Sequence, residues 1–250
     1  MAYEDFSDAS WVEVDSASDI VKTDTDTITV TTMANTAVSW VYKDYGADHF
    51  GDFEHLIDVN LTAASVTPTN GPIVIIWGFS NDNTKLTNTD KTAGSEGVSV
   101  FLFQTTTNPY PCRVYLRQHS GPVSDYVTLA SIPVQLYLTI ARNGTTYTCD
   151  IYSDASRETL ITDGDLTIEG ATTAYRYLQV VGSKEATGTE TLSCVIENLD
   201  IQEAAPPAPT GPQDCDNPGR IALNTTNYGN ELYVQTTNYG NELRQHSTCS

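Results

Sequence analysis

Val134-Gln-Leu-Tyr-Leu-Thr-Ile-Ala-Arg-Asn-Gly-Thr-Thr-Tyr-Thr-Cys-Asp-Ile-Tyr152 is the stretch of sequence that decides the fold. Apolar and polar residues alternate on both sides of Asn143-Gly144, which is the period of a β-strand with one buried face. Asn-Gly supplies the positive φ angles that both central residues of a type I′ turn need. The sequence therefore predicts a tight hairpin that buries Val134, Leu136, Leu138 and Ile140.

Further strand patterns extend outward from this hairpin in both directions. Thr23 to Thr31 has a period of two with β-branched residues throughout, and no stretch of eleven or more residues has a helical period. A single open sheet of so many strands would leave one apolar face in water, so the pattern favours an all-β, two-sheet antiparallel sandwich. The other predicted strands are 38–43, 53–66, 72–80, 98–105, 112–119, 125–130, 134–142, 145–153, 165–169, 174–182 and 190–202.

The character of the chain changes after Glu203. We predict a β-sandwich domain over residues 1–203, a proline-rich linker over 204–219 and a tail over 220–250. The tail repeats Thr-Thr-Asn-Tyr-Gly-Asn-Glu-Leu at 225–232 and 236–243. Two copies are too few for a solenoid, so the tail is either flexible or an assembly segment that orders against another subunit. Its candidate assembly residues are Tyr228, Leu232, Tyr233, Val234, Tyr239 and Leu243.

Charge excludes several kinds of partner. The chain has 32 acidic and 12 basic side chains, a formal net charge of -20. Nucleic acid is a poor partner because phosphate binding requires clustered Lys and Arg, and a basic membrane-surface helix is excluded on the same ground. The longest apolar run, Pro72 to Phe79, is too short to cross a bilayer as a helix. The first ten residues lack the pattern of a secretory signal, so we do not expect export by that route.

The cysteines and histidines of the sequence lack the spacing of common metal-binding or nucleophile motifs. The five cysteines include no CxxC pair, and the four histidines have neither HExxH nor HxH spacing. Cys215 and Cys249 bracket the repeated tail, where they would form either a disulfide bridge or two free thiols. No catalytic residue and no obligate cofactor is predicted.

Acidic residues cluster between residues 44 and 58. Asp52, Glu54 and Asp58 should share one side of a strand, either as an acid/base or calcium cluster or as an ordinary polar face. Asp44, Asp48 and Asp52 are the weak candidates for a Ca²⁺ site in a loop, because that ion takes hard oxygen ligands.

A ligand-binding surface is predicted around residues 112–119. Val114 and Leu116 should face the core, which turns Arg113, Tyr115, Arg117 and His119 outward. Aromatic faces beside arginine donors suit sugars and other polar ligands, and Tyr137 would join them if its strand were adjacent. The alternative is an ordinary wet sheet face whose arginines offset the surrounding acids.

Three segments resemble concanavalin A-like (LamG-type) jelly rolls: Val41 to Val59, the Tyr137 to Asp154 hairpin and Val195 to Ile201. The resemblance covers about residues 10–203 and implies a jelly-roll sandwich, in a superfamily that includes lectins, glucanases and virion-surface domains. The glucanase pattern Glu-x-Asp-x-x-Glu is incomplete here: Glu13-Val-Asp15 is followed by Ser18, and Asp52-Phe-Glu54 by Ile57. Function is not decided by the fold alone.

The leading hypothesis is a non-enzymatic structural protein on the surface of a virion. A jelly roll without a signal sequence but with a low-complexity tail resembles phage structural proteins that decorate a capsid or form part of a fibre. Its partners would be other copies of the chain or other virion proteins, with surface glycans as a further ligand. The alternative is an extracellular, carbohydrate-binding lectin, and a glycoside hydrolase is the third hypothesis.

Overall fold

The computed structural model describes residues 3–65, 71–86, 97–105, 111–119, 123–130, 132–183 and 189–203. Their regular structure consists of fourteen β-strands, numbered in chain order. The strands are β1 (Trp11–Asp15), β2 (Ile20–Asp24), β3 (Thr27–Ala34), β4 (Ser39–Asp44), β5 (Phe53–Ala64), β6 (Ile73–Ser80), β7 (Gly97–Gln104), β8 (Cys112–Gln118), β9 (Ser124–Thr128), β10 (Val134–Asn143), β11 (Thr146–Tyr152), β12 (Leu160–Glu169), β13 (Tyr177–Ser183) and β14 (Thr191–Glu203).

The strands form two antiparallel sheets of seven. The first sheet has the order β1-β4-β13-β6-β7-β8-β9, and the second has the order β12-β11-β10-β5-β14-β3-β2. Neighbouring strands in each sheet are often far apart in sequence, so long connections cross between the sheets as in a jelly roll. The predicted all-β, two-sheet jelly-roll sandwich is confirmed. Within the described residues, no helix is long and apolar enough to cross a membrane.

The predicted hairpin between residues 134 and 152 forms, but its turn lies one residue further along the chain. Asn143 is the last residue of β10 and pairs with Thr146, so the turn residues are Gly144 and Thr145, and only Gly144 has a positive φ, of 62°. The predicted type I′ turn at Asn143-Gly144 is therefore wrong. Leu136, Leu138 and Ile140 are buried between the sheets as predicted, whereas Val134 is only partly buried. β5 lies on the other side of β10, which places this hairpin inside the second sheet.

The strand prediction missed β1 and β2 and misjudged several ends. β12 begins at Leu160, five residues before the predicted start, and β13 begins at Tyr177 rather than at residue 174. β1 and β2 are five-residue strands at sheet edges. Edge strands of this length bury few side chains, so their alternation is weak in the sequence.

Aromatic side chains fill one end of the core. Trp77, on β6, is fully buried, and its ring centroid lies 4.8 Å from that of Phe79 and 5.7 Å from that of Phe53. The Trp77 Nε1 donates a hydrogen bond to Nδ1 of His55 on the facing sheet, at 3.1 Å. This hydrogen bond joins the two sheets inside an apolar layer. A buried donor or acceptor without a partner would destabilise the fold there.

An arginine closes the same end of the sandwich. Arg142 is 5% exposed, and its guanidinium donates hydrogen bonds to the carbonyl oxygens of Gly144 and Thr173 at 3.0 and 2.8 Å. The guanidinium carbon also lies 5.3 Å from the centroid of the Tyr147 ring. Arg142 therefore joins the hairpin turn to the segment before β13, and its role is structural.

Candidate ligand-binding face

The outer face of the first sheet carries a row of rings across its last three strands. Phe101, Tyr115 and Tyr126 lie opposite one another on β7, β8 and β9. The ring centroids are 4.9 Å apart in each neighbouring pair, with interplanar angles of 1° and 30°. We call these three residues the ring ladder, and the surface around them the ladder face. Phe101 is buried, whereas Tyr126 at the sheet edge is 45% exposed.

Strict alternation along β8 produces this face. Cys112, Val114 and Leu116 are buried in the core, so the residues between them point away from it. The expected outward direction of Arg113, Tyr115 and Arg117 therefore agrees with the described strand.

Arg113 is held against the ring ladder. Its Nη1 donates a hydrogen bond to the Tyr115 hydroxyl oxygen at 3.2 Å, and its guanidinium carbon lies 4.4 Å from the centroid of the Tyr126 ring. Both contacts fix the planar guanidinium beside the exposed end of the ladder. A cationic donor and a half-exposed ring are thus presented together.

The charge of Arg113 has no carboxylate partner among the described residues. Two other arginines do have one: Arg157 pairs with Asp58 and Arg176 with Asp44, each at 2.6 Å. The Arg113 Nε atom is buried and makes no hydrogen bond. Within the part of the chain that the structure describes, the guanidinium of Arg113 contacts rings and a hydroxyl group and forms no ion pair, so its charge is not neutralised there.

A serine on β7 is hydrogen-bonded to the histidine that follows β8. The Ser99 hydroxyl and the His119 Nε2 lie 2.7 Å apart, and both residues are at most 1% exposed. His119 was expected to point into solvent with Arg117. It lies next to Ser99 but is covered, so the pair is not presented to a solvent-borne substrate.

The segment that follows β6 packs against the middle of the outer face of the first sheet. The Gln179 side chain accepts a hydrogen bond from the backbone N–H of Leu86 at 3.0 Å and donates one to the carbonyl oxygen of Thr84 at 2.8 Å. Leu86 is thereby held over β6, where a Cβ added at Gly78 would lie 2.5 Å from its Cδ1. Leu86 covers Ile73, Ile75 and Phe101, so the open part of the face is at β8 and β9.

Tyr137 does not belong to this face. It lies on β10 in the second sheet, between Asp58 on β5 and Tyr152 on β11. The Arg157 guanidinium carbon lies 5.9 Å from the centroid of its ring. Tyr137 was expected to join Arg113 if their strands were adjacent, and the strands are not adjacent. Alternation shows whether a residue faces inward or outward, but it does not show to which sheet a strand belongs.

The outer face of the second sheet is strongly acidic. Glu54 and Asp58 share this face as predicted, while Asp52 precedes the strand. Asp150 lies directly opposite Asp165, and burial together with that carboxylate raises the Asp150 pKa above its ordinary value. Seven carboxylates of this face are those of Glu54, Asp58, Asp150, Asp165, Glu169, Glu197 and Asp200.

The candidate calcium ligands have other partners. Asp44 forms a two-point ion pair with Arg176, at 2.8 and 2.6 Å, and these hydrogen bonds hold the Asp44 pKa below its usual range. Asp52 accepts a hydrogen bond from the Gly144 N–H at 2.8 Å, and Asp48 has a φ of 57°. In the described ranges, no three His, Cys, Asp or Glu side chains come together as a metal site. Binding of Ca²⁺ by Asp44, Asp48 and Asp52 stays a prediction.

Other predicted positions lie outside the described residues. These are the Cys215 to Cys249 bridge and the six assembly residues Tyr228, Leu232, Tyr233, Val234, Tyr239 and Leu243. Phe101 and Tyr126, in contrast, are described but were missed as site residues. Because Val127 is buried, alternation would have predicted that Tyr126 faces outward. Its stacking on Tyr115 could not be predicted without the strand order β7-β8-β9.

Known proteins resemble this chain in structure and not in sequence. No family model matches the sequence, and no curated protein matches it. A functionally unknown protein from Saccharomyces cerevisiae is superimposed with a TM-score of 0.50 at 8% identity, covering 79% of this chain and 98% of that one. This likeness shows the fold alone.

Two further solved structures were matched at lower similarity. The exoplasmic/lumenal domain of VIP36, in its Ca²⁺- and mannose-bound form, has a TM-score of 0.48 at 10% identity, covering 82% of this chain and 94% of that one. The alginate lyase from Klebsiella pneumoniae has a TM-score of 0.45 at 11% identity, covering 70% and 78%.

Proposed function

We propose that the ladder face binds glycans and that the protein does not cleave them. The observation that carries the proposal is the stack of Phe101, Tyr115 and Tyr126, whose exposed end is flanked by the guanidinium of Arg113. A flat ring offers an apolar surface to the C–H groups of a pyranose, while the adjacent guanidinium and hydroxyl bond to sugar oxygens. The face thus meets both requirements of a sugar-binding site.

The carboxylates support binding rather than hydrolysis. Glycosidases of the usual kind need two carboxyl groups that flank the scissile bond. Asp125 is the single carboxylate on β7, β8 and β9. Its two oxygens accept hydrogen bonds from the backbone N–H groups of Tyr126 and Thr167, at 2.9 and 3.0 Å. Asp125 is therefore engaged in holding the edge of the sandwich.

Removing the exposed ring should weaken glycan binding by about 5- to 150-fold. Tyr126→Ala removes the surface on which a sugar would stack. By analogy with stacking on nucleobases, loss of one stacked ring lowers the binding free energy by roughly 1–3 kcal/mol. Affinity gel electrophoresis against a panel of soluble neutral and acidic polysaccharides measures the effect. Tyr126→Phe keeps the ring and should bind nearly as the native chain does. Tyr152→Ala, on the outer face of the second sheet, is the matched control and should leave binding unchanged.

Two results would contradict this proposal. The first is the absence of retardation by every polysaccharide of the panel, and the second is equal weakening by Tyr126→Ala and Tyr152→Ala. The non-enzymatic part fails separately if incubation of a bound polysaccharide with the protein releases new reducing ends.

We further propose that the sandwich is carried on a virus particle through residues 204–250. Support for this comes from the sequence: a proline-rich linker precedes an identical repeat whose apolar residues exceed what a solubilising tail needs. Deleting residues 204–250 should abolish particle binding or self-association, as measured by co-sedimentation and light scattering. Unchanged assembly of the truncated chain would refute it.

A further inference from the structure

The last three strands of the first sheet differ in charge from the outer face of the second sheet. β7, β8 and β9 contain Arg113, Arg117 and Asp125 as their charged residues, and Asp125 is bonded toward the second sheet. The seven carboxylates named above project from the outer face of the second sheet, and among them Asp58 is paired with Arg157. Among the described residues, β7, β8 and β9 therefore contribute only one carboxylate to the strong acidity of the chain.

From this charge distribution we infer that the glycan bound by the ladder face is acidic, with carboxylate or sulfate groups on its sugar rings. The inference rests on the proposed function and specifies its ligand class. Arg113 provides the recognition, because a planar guanidinium matches the oxygens of a carboxylate or sulfate group two at a time.

The position of Arg113 suits this role. Its guanidinium lies 4.4 Å from the centre of the Tyr126 ring, so an anionic group bonded to it belongs to the sugar stacked on that ring or to the next one. Neutralising this charge within the protein would require a carboxylate, and the described residues provide none for it. A neutral sugar would leave the cation unmatched.

The net charge of -20 does not prevent a polyanion from approaching. The two sheets of a sandwich lie about 10 Å apart, and the acidic side chains project from the far side of the second sheet. Charges are screened over about 8 Å at physiological ionic strength. A chain of acidic sugars on the ladder face therefore lies closer to Arg113 than to those carboxylates.

The test compares polysaccharides that differ in charge but share a backbone. The full-length protein is titrated with polygalacturonate and with its fully methyl-esterified form, then with dextran sulfate and dextran, and hyaluronan is included as a second carboxylated chain. Preference for polygalacturonate over the ester identifies carboxylate as the anion, whereas preference for dextran sulfate over dextran identifies sulfate. Arg113→Gln should weaken binding of the preferred acidic chain about tenfold and leave the neutral chain unaffected.

Arg176→Gln is the matched control, since it removes an exposed arginine that is already paired with Asp44. It should not alter binding of any of these chains. Equal affinity for charged and neutral members of both pairs would overturn the inference while leaving glycan binding intact. Binding of none of the five polysaccharides would instead remove the proposed function, and the inference with it.

Discussion

Replacing Trp77 by alanine is expected to lower the free energy of unfolding by about 4 kcal/mol. Trp77 is fully buried and contacts Phe53 and Phe79. The substitution empties a large volume and leaves Nδ1 of His55 without its donor. Both losses occur where the two sheets meet, so the neighbouring rings have little freedom to close the cavity.

The matched control is Trp40→Ala, because Trp40 lies on β4 of the same sheet but is half-buried on its outer side. We expect it to cost less than half as much in urea unfolding followed by circular dichroism. Trp77→Phe retains most of the volume and should cost about 1–2 kcal/mol, which keeps the comparison measurable if the alanine variant fails to fold. An equal loss for Trp77→Ala and Trp40→Ala would contradict the assigned position of the core.

The protein should lose about 2 kcal/mol of stability between pH 7 and pH 5 through His55 alone. Burial in the aromatic layer lowers the pKa of His55 to about 3, from an ordinary value of 6.5. Between pH 6.5 and pH 3, His55 is therefore protonated in the unfolded chain but neutral in the folded chain. The stability associated with neutral His55 is complete above pH 6.5 and declines as the pH falls from 6.5 toward 3.

His55→Gln tests this dependence, since an amide oxygen can accept the Trp77 hydrogen bond but does not titrate in this range. Urea unfolding at pH 7, 6 and 5 should show a decline for the variant that is smaller than the native one by about 2 kcal/mol. The comparison concerns the change with pH and not the absolute stability, so a constant cost of the substitution cancels. Parallel declines in the two proteins would disprove the assignment.

The fold was predictable because local alternation is strong in its central strands. β10 and β11 could be assigned from residues 134–152, since that stretch contains their apolar period and an Asn-Gly turn signal. The turn itself was predicted one residue too early, because it forms at Gly144-Thr145. β6 was also found, although it is buried on both faces and does not alternate. β1 was not found, because an edge strand is stabilised by its pairing with β4, which lies more than twenty residues away.

The candidate site was only half predictable. The alternation within β8 predicts that Arg113, Tyr115 and Arg117 face outward, and this prediction requires no information about other strands. The identity of their neighbours depends on strand order, which a period of two does not encode. Tyr137 was therefore placed beside Arg113 although it belongs to the other sheet, while Phe101 and Tyr126, which do stack on Tyr115, were missed.

The central claim is that the ring ladder contacts the glycan, and ring-specific NMR of tyrosine tests it most directly. In full-length protein with labelled tyrosine rings, the signals of Tyr115 and Tyr126 should shift progressively as polygalacturonate or hyaluronan is added. Those of Tyr137 and Tyr152, on the outer face of the second sheet, should remain in place. Shifts confined to Tyr137 and Tyr152 would contradict the account, because the ligand would then occupy the acidic face.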